Sequence, residues 1–414
     1  MTEPEPILRV AAKGDGVTAS GRHVALSAPG DLVAEDGTVS PGPQHVTPPC
    51  RHFSTCGACQ LQHLSEQALV DFVRDRVAHA AEGQGLIAEV VAAPHLSPPH
   101  LSPPHLSPAR SRRRATLHAE RKGGQVLLGF RAKASHTIVD MRECHVLAPE
   151  LFELVAPLRK ALGRWPGQGR QRRLAADVHL ALAEQGVSVE ISGPPLEGLA
   201  ATEAMLDFAR DHALARLTLD QGYGPEALWE PEPATVALSG ISVALPPGGF
   251  LQATADGEAA LVGAACEWLD GAETVADLFS GLGGFAFALA IKSKVLAVEG
   301  SRDTHLACKT AAGRSGRQVH TLHRDLYRNP LQHDELNRFA AVVLDPPRAG
   351  AREQASLLAG STVARIVYIS CNPSSWARDA AMLVAGGYRL AELRPVGQFR
   401  WSTHVELASL FVRA

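Results

Sequence analysis

From about residue 250 onward, short apolar runs alternate with stretches of helical spacing. TVADLF leads into GGFAFALAIK, and KVLAVEG leads into SRDTHLACKTAAG. QVHTLHRDL, AAVVLDPP and ARIVYISCNP follow, the last opening onto SSWARDAAMLVAGG. Short apolar runs bounded by turn residues read as strands buried on both faces, and their alternation with helices predicts a parallel, doubly wound α/β sheet. YRLAELRPV and HVELASLFVRA close the chain with no helix between them, so an antiparallel pair is expected at one edge.

The earlier chain has a different texture. Between 115 and 245, ATLHAE, GQVLLGFRA, HTIVDMREC, ADVHLALAE, GVSVEIS and ISVALPP read as strands. One helix-like stretch, LEGLAATEAMLDFARDHA (196–213), interrupts them. Residues 7–33 read as short β segments around Gly and Pro, suited to a small barrel or part of one. A linker marked by Pro41, Pro43, Pro48 and Pro49 follows, then a helical pattern over 64–81. The predicted class is α/β, in three parts: a shortened barrel-like segment (1–45), a β-rich middle domain that includes a cysteine cluster (46–250), and the doubly wound sheet (251–414). The HLSPP repeat within 95–108 is Pro-dense and favours extended chain; it reads as a tandem expansion in a surface loop rather than a histidine metal site.

Composition narrows the function. The chain has 414 residues, 45% of them apolar, which is enough for a large core in two or three domains. No run approaches the ~18 apolar residues of a membrane span, and the acidic start MTEPEPILRV lacks a signal-peptide pattern. The expectation is a soluble cytoplasmic protein. A net charge of −3 does not advertise a polyanionic partner, but clustered charge matters more than the sum. Arg110, Arg112, Arg113 and Arg114 are followed by Arg121, Lys122, Arg131 and Lys133, and a second group comprises Arg170, Arg172 and Arg173. Taken alone, such runs are usually solvated faces. Of seven cysteines, Cys50, Cys56 and Cys59 sit together while Cys144, Cys266, Cys308 and Cys371 are dispersed. An odd count without a secretion signal argues against a disulfide framework and suggests metal ligation, with zinc and an iron–sulfur cluster both open.

Four motifs carry chemistry. In DLFSGLGGF (277–285) a strand ends at Phe279, and Gly281, Gly283 and Gly284 open a helix with the freedom for close ligand approach. Rossmann dinucleotide sites share this design, so the turn alone is weak evidence. Glu299 then ends the second strand, where a carboxylate can accept from ribose hydroxyls, and Asp325 follows the third, placed for an adenine edge. Each acid alone could be a helix cap; in this order they describe a nucleoside pocket. LDPPRAG holds Asp345 on a turn stiffened by two prolines. ISCNP puts Cys371 at a strand's end, where Asn372–Pro373 forces a turn that exposes a thiol otherwise expected to be packing. HVELASLF opens an apolar strand with Glu406, a general-base candidate, and His404 two positions before it.

This set resembles the RNA uridine-5-methyltransferases over nearly the whole chain: DLFxGxGxF, VEGS, DPPRAG, SCNP and HVE occur in the family's order. The resemblance implies a class I Rossmann-like S-adenosylmethionine methyltransferase sheet acting on carbon 5 of a uridine in RNA. It makes Cys371 the nucleophile and Glu406 the base, and places Gln252, Phe279, Gly281, Gly284, Glu299, Asp325 and Asp345 at the S-adenosylmethionine site. It also implies that Cys50, Cys56, Cys59 and Cys144 hold a [4Fe-4S] cluster, as in the ribosomal-RNA branch; 23S rRNA is therefore the expected partner, ahead of tRNA. Ser280, Gly284 and Thr254 depart from residues frequent in the family (Cys, Asn and Asn). Two rivals are an amino-group methyltransferase, which needs no thiol, and a non-catalytic iron–sulfur RNA-binding protein, which needs no S-adenosylmethionine pocket.

Overall fold

The computed structural model describes residues 3–92, 106–165 and 174–413. The HLSPP repeat up to residue 105 and the cluster Arg170, Arg172 and Arg173 lie outside them.

The first strands are short and Gly-punctuated, so they make a small antiparallel sheet and no more. β1 (Glu5–Val10), β2 (Gly16–Thr18), β3 (His23–Val24), β4 (Leu32–Val33) and β5 (Val39–Ser40) pair in the order β3-β2-β1-β4-β5, a half-barrel. The cysteine segment follows, then α1 (Glu66–Glu82). Ser65 caps this helix by accepting from the Ala68 N–H (3.2 Å), and Leu69, Phe72, Val73 and Val77 form its buried stripe. β6 (Val90–Val91) ends the first described segment.

The middle sheet takes β7 (Arg114–Lys122), β8 (Gln125–Gly129), β9 (Ala175–Ala183), β10 (Gly186–Ser192), β11 (Arg216–Asp220) and β12 (Pro225–Trp229), in the order β12-β11-β10-β9-β7-β8. Residues along β7 and β9 alternate between buried and half-buried, as strands with one core face do. That face packs on α2 (Pro149–Glu153), α3 (Val155–Gly163) and α4 (Leu199–Asp211). α2 and α3 were not foreseen: Pro157 interrupts the pattern, yet it lies in the first turn of α3, where its missing N–H costs nothing. The expected strand HTIVDMREC is instead a loop: Met141 donates to the Leu128 carbonyl of β8 (2.9 Å) and Val139 to the Phe130 carbonyl (2.8 Å), but beyond the isolated Arg131–Ile138 bridge no ladder forms. Asp140 folds it down by pairing with Arg142 and Arg159.

A hairpin of β13 (Thr235–Leu238) and β14 (Ile241–Ala244) precedes α5 (Ala255–Trp268). Then come β15 (Thr274–Leu278), α6 (Gly284–Leu289), β16 (Lys294–Glu299), α7 (Arg302–Ser315), β17 (Val319–His323), α8 (His333–Leu336), β18 (Ala341–Leu344), α9 (Arg352–Ala359), β19 (Arg365–Ser370), α10 (Pro373–Ala385), β20 (Tyr388–Val396) and β21 (Glu406–Arg413). β18 and most of β15 and β19 are buried, as expected of parallel strands covered on both faces. The order is β17-β16-β15-β18-β19-β21-β20-β6, parallel through β19 and antiparallel at β21.

β20 is not the edge, however. β6 pairs parallel to it, and α1 packs against α10 in the same core. The segment 46–250 is thus shared among three cores: α1 packs on one face of the doubly wound sheet, the β13–β14 hairpin on the other, and the middle sheet has a core of its own.

Candidate active site

Strand order reverses direction between β15 and β18, the place where open α/β sheets bind ligands outside their carboxyl ends. Phe279, Glu299, Asp325, Asp345 and Cys371 all follow or end strands there. The turn after β15 is tightly wound: Phe279 has φ 63°, Gly281 54° and Gly283 95°. A non-glycine residue held at positive φ signals strain tolerated for a purpose. Gly283 is also required by space, since a Cβ there would lie 2.7 Å from the Phe287 ring and 2.9 Å from Cys308 Sγ.

The acids of the turn are held by backbone donors. Glu299 accepts from the Gly281 N–H (2.9 Å) and the Ser301 N–H (2.6 Å), so the second strand's carboxylate is locked to the glycine turn. Asp325 accepts from the N–H groups of Tyr327 (2.9 Å) and Arg328 (3.3 Å). The Tyr327 ring lies 5.3 Å from Phe279, and its hydroxyl donates to the Gly350 carbonyl (3.0 Å). Gln252 reaches the same region from the loop before α5. Arg113 Nε donates to its carbonyl (3.0 Å), and Gln398 Nε2 donates to its side-chain oxygen (2.7 Å). Arg113 also ion-pairs with Glu258, whose carboxylate lies against Gly284. Thr254, one of the departures, caps α5 by accepting from the Gly257 N–H (3.1 Å).

Deeper in, acids gather without enough cations to offset them. Asp277 is wholly buried, and neither of its carboxylate oxygens has a hydrogen-bond partner. Burial, then Asp345, pushes its pKa up to about 8. Burial pushes Asp345 up to about 7. Glu406 is 3% exposed and rises to about 8, through burial and then Asp345. The Cys371 thiol rises to about 11, through burial and then the carboxylates of Glu406 and Asp345.

Cys371 sits one residue beyond β19. Asn372 caps α10 by accepting from the Ser374 N–H (3.2 Å), its amide donates to the Arg348 carbonyl (3.1 Å), and Pro373 takes the first helical position. The thiol is half-buried and borders a cleft of about 860 Å³. Lys13, Arg76, Arg112, Arg114, Arg131, Lys133 and Arg348 line this cleft with Phe130 and Phe399, and among the described residues no Asp or Glu does. The basic run at 112–114 is therefore no solvated face. Arg112 stacks over Phe130 and Phe399, Arg113 braces the Gln252 loop, and Arg114 faces the cleft. Burial, then Arg112, lowers the Arg114 pKa to about 10 against the opposing pull of Glu406 and Cys371. His404 lines the cleft from the loop before β21, not from the strand itself.

Sequence reasoning did not single out Arg114, Arg348 or Gln398. Gln398 is 2% exposed and accepts from the Ala253 N–H (2.8 Å) while donating to Gln252. A glutamine just after the apolar β20 was the available signal.

The four cysteines of the expected metal site line one cavity, with His52, Glu143 and His145 at its polar side and Phe53, Phe130 and Met141 among its apolar walls. All four are free thiols whose pKa burial raises, that of Cys59 to about 12. The two chain segments are tied together: Glu143 accepts from the Arg51 N–H (2.6 Å) and from Arg51 Nε (2.9 Å). Gly57 donates to the Arg131 carbonyl (2.9 Å), an approach that a Cβ would obstruct. Among the described residues, no three His, Cys, Asp or Glu side chains are grouped so as to hold one metal ion.

Known proteins share this architecture. The profile of the tRNA (uracil-5-)-methyltransferases matches residues 318–414. A Zymomonas mobilis protein named as an uncharacterized RNA methyltransferase is 46% identical over 407 residues, covering 98% of this chain and 99% of its own. The 23S rRNA (uracil(1939)-C(5))-methyltransferase of Chromohalobacter salexigens is 34% identical over 388 residues, 90% of this chain and 77% of that one. The crystal structure of the Pyrococcus abyssi tRNA (uracil-54, C5)-methyltransferase with S-adenosyl-L-homocysteine superposes with a TM-score of 0.76 over 99% of both chains; at 22% identity the likeness is one of fold.

Proposed function

This chain belongs to the RNA (uracil-5-)-methyltransferase family, and from that premise we propose that it methylates carbon 5 of a uridine in 23S rRNA through a covalent Cys371 adduct. The observation that carries the reading is a thiol, Cys371, on a cleft walled by cations and aromatic rings, with the buried Glu406 carboxylate behind it and close enough to raise its pKa. Cations answer the phosphate backbone, and the rings can take an unstacked base.

The cofactor fits the residues present. S-adenosylmethionine supplies an electrophilic methyl group on a positively charged sulfur. The acids Asp277, Glu299 and Asp345 gather beside the glycine turn, and a bound cation would favour the ionised forms that burial and mutual repulsion now disfavour in Asp277 and Asp345. Gln252, Phe279, Gly281, Gly284 and Asp325 complete the walls of the site. Within the reaction, Cys371 Sγ enters as the thiolate that each cycle returns and bonds carbon 6 of uracil, and the carbon 5–carbon 6 π pair moves onto carbon 5 and the adjoining carbonyl. Carbon 5, now nucleophilic, would take the methyl group as its bond to sulfur breaks, the pair of that bond staying on sulfur and leaving a neutral thioether. Glu406 as carboxylate then removes the carbon 5 proton, the freed pair restores the double bond, and the sulfur–carbon bond breaks to return the thiolate. Arg114, beside both groups, stabilises their anionic forms.

We assign Cys50, Cys56, Cys59 and Cys144 to a [4Fe-4S] cluster. A cluster takes one thiolate per iron, and the four cysteines line one mostly apolar cavity. Bound there, the cluster would cross-link the two segments; the methyl transfer needs no electrons from it.

Deleting the gene and mapping 5-methyluridine in 23S rRNA and tRNA tests the assignment. Loss of one 23S rRNA site is expected. Loss confined to tRNA would move the substrate, and no loss in either would overturn the reading.

A further inference from the structure

We propose that Arg76 of α1 binds a phosphodiester of the RNA strand where it leaves the catalytic cleft and enters a second groove between α1 and the half-barrel. The inference rests on the RNA reading above. The second groove, about 340 Å³, is lined by Arg9, Val10, Ala12, Asp75, Arg76 and His79. Ala12 and Arg76 also line the cleft that contains Cys371, so they stand at the junction of the two cavities.

Arg76 is half-buried and its Nε has no hydrogen-bond partner. Burial lowers its pKa, with no carboxylate opposing the effect. A partly desolvated guanidinium is normally paired, because leaving it alone is costly. Among the described residues the one carboxylate on this groove, Asp75, is already engaged by Arg74 at 3.0 Å, and Arg74 also holds Asp71 at 3.0 Å. The neighbouring arginine thus consumes the local negative charge and leaves Arg76 for an anion from outside. Arg9 in the groove and Lys13 in the cleft flank the junction with the same sign. A phosphate accepts from the guanidinium fork in two places, which matches an arginine that points into a channel. A protein segment with an acidic side chain would offer the same charge but would have no reason to follow the channel from the reactive thiol.

The test compares Arg76→Gln with Arg74→Gln, using a labelled single-stranded RNA oligonucleotide of mixed sequence across a KCl series. Arg76→Gln should weaken binding about tenfold, the scale of one hydrogen-bonded charge contact. It should also lower the slope of log affinity against log salt by about one. Its KM for RNA should rise more than its kcat falls, with S-adenosylmethionine affinity kept and Arg76→Lys restoring most of the salt slope. Arg74→Gln, which frees Asp75 on the groove, should weaken binding less than Arg76→Gln does. Ala12→Glu, on an exposed residue at the junction, provides a second variant in case Arg76→Gln folds poorly, and should weaken RNA binding in the same direction. Unchanged affinity and slope in Arg76→Gln and Ala12→Glu would overturn the inference while leaving the methyltransferase reading intact, as would equal losses in Arg74→Gln. Wild-type protein that methylates no RNA would instead remove the reading beneath it.

Discussion

Cys371 and Glu406 stand across from each other on neighbouring antiparallel chains: the β19–β21 ladder pairs Ser370 with Leu407, and the next residue along each chain brings the thiol opposite the carboxylate. Their alignment is therefore a property of sheet register, which the apolar faces of both strands enforce. A slip of one residue would turn every buried side chain of β21 to the wrong face. The proposed nucleophile and base are held by the same register that holds the core.

Cys371→Ala should lower methylation by at least roughly 10³-fold, since no other thiol borders the cleft among the described residues. S-adenosylmethionine affinity should stay near wild type. With 5-fluorouridine RNA the wild type should form a denaturant-resistant adduct, because the base cannot remove fluorine. Turnover by the alanine variant at a comparable rate would refute the role.

Glu406→Gln should spare addition and methyl transfer but block proton removal, so a covalent complex with natural RNA should build up on a denaturing gel. A second readout follows from charge. The Glu406 carboxylate raises the Cys371 pKa, so removing it should lower that pKa. At pH 8.5, iodoacetamide should alkylate Cys371 faster in the glutamine variant. Slower alkylation would show that Glu406 instead takes the thiol proton.

The doubly wound half was readable because its strands are buried on both faces and so appear as unbroken apolar runs, and the candidate site residues were found because they stand at or just past strand ends. The Gly-rich turn, Glu299, Asp345 and Cys371 fall at such ends. What was not readable depended on distant partners. HTIVDMREC has a strand's residues but meets the chain after β8 only through scattered backbone bonds and one isolated bridge, and β6 exists only because β20 offers it an edge. Arg114 and Gln398 come from the start of the middle sheet and from the β20–β21 connection, and nothing in their local pattern marks them as neighbours of Glu406.

Folding stability should carry the mark of three acids, Asp277 and Glu406 buried and Asp345 half-buried. Asp277, Asp345 and Glu406 have pKa values raised to about 8, 7 and 8 from ordinary values of 3.8, 3.8 and 4.5. A raised acid favours the folded state fully below its unfolded pKa, and that contribution is lost as pH climbs through the folded value. The window is thus roughly pH 4 to 8. Without cofactor, Glu406→Gln should melt higher than wild type at pH 8.5, and the gap should close toward pH 4.5. Differential scanning fluorimetry checks this; a glutamine variant less stable at pH 8.5 would contradict it.

Arg113 should matter to the cofactor without touching RNA chemistry. It donates to the Gln252 carbonyl and pairs with Glu258, and both partners are largely buried. Arg113→Ala should weaken S-adenosylmethionine binding about tenfold, as loss of a charged hydrogen bond does, by letting the Gln252 loop move. Calorimetric titration reads this directly, and unchanged affinity would show that the loop is held by Gln398 alone.

The cysteine quartet yields the prediction that reaches furthest across the molecule. Ligation shared by Cys50, Cys56, Cys59 and Cys144 would close a long loop between the N-terminal segment and the middle domain. Such closure restricts the unfolded chain and should be worth roughly 3–5 kcal/mol. The cavity is not isolated from the cleft. Phe130 borders both, Arg112 stacks over Phe130 at 5.9 Å, and the Cys56–Ala132 bridge holds the loop that carries Arg131 and Lys133. Losing the cluster should therefore loosen the cationic wall as well as the fold. Anaerobically purified protein should be brown, with about four irons per chain. Any single Cys→Ser change in the quartet should lower iron content, melting temperature and RNA affinity together. Cys266→Ser and Cys308→Ser should keep their iron. One tightly bound zinc and no iron in anaerobic protein would overturn the cluster while leaving the Cys371 chemistry untouched. Full iron with unchanged RNA affinity in a quartet variant would show that its cysteine is a packing residue.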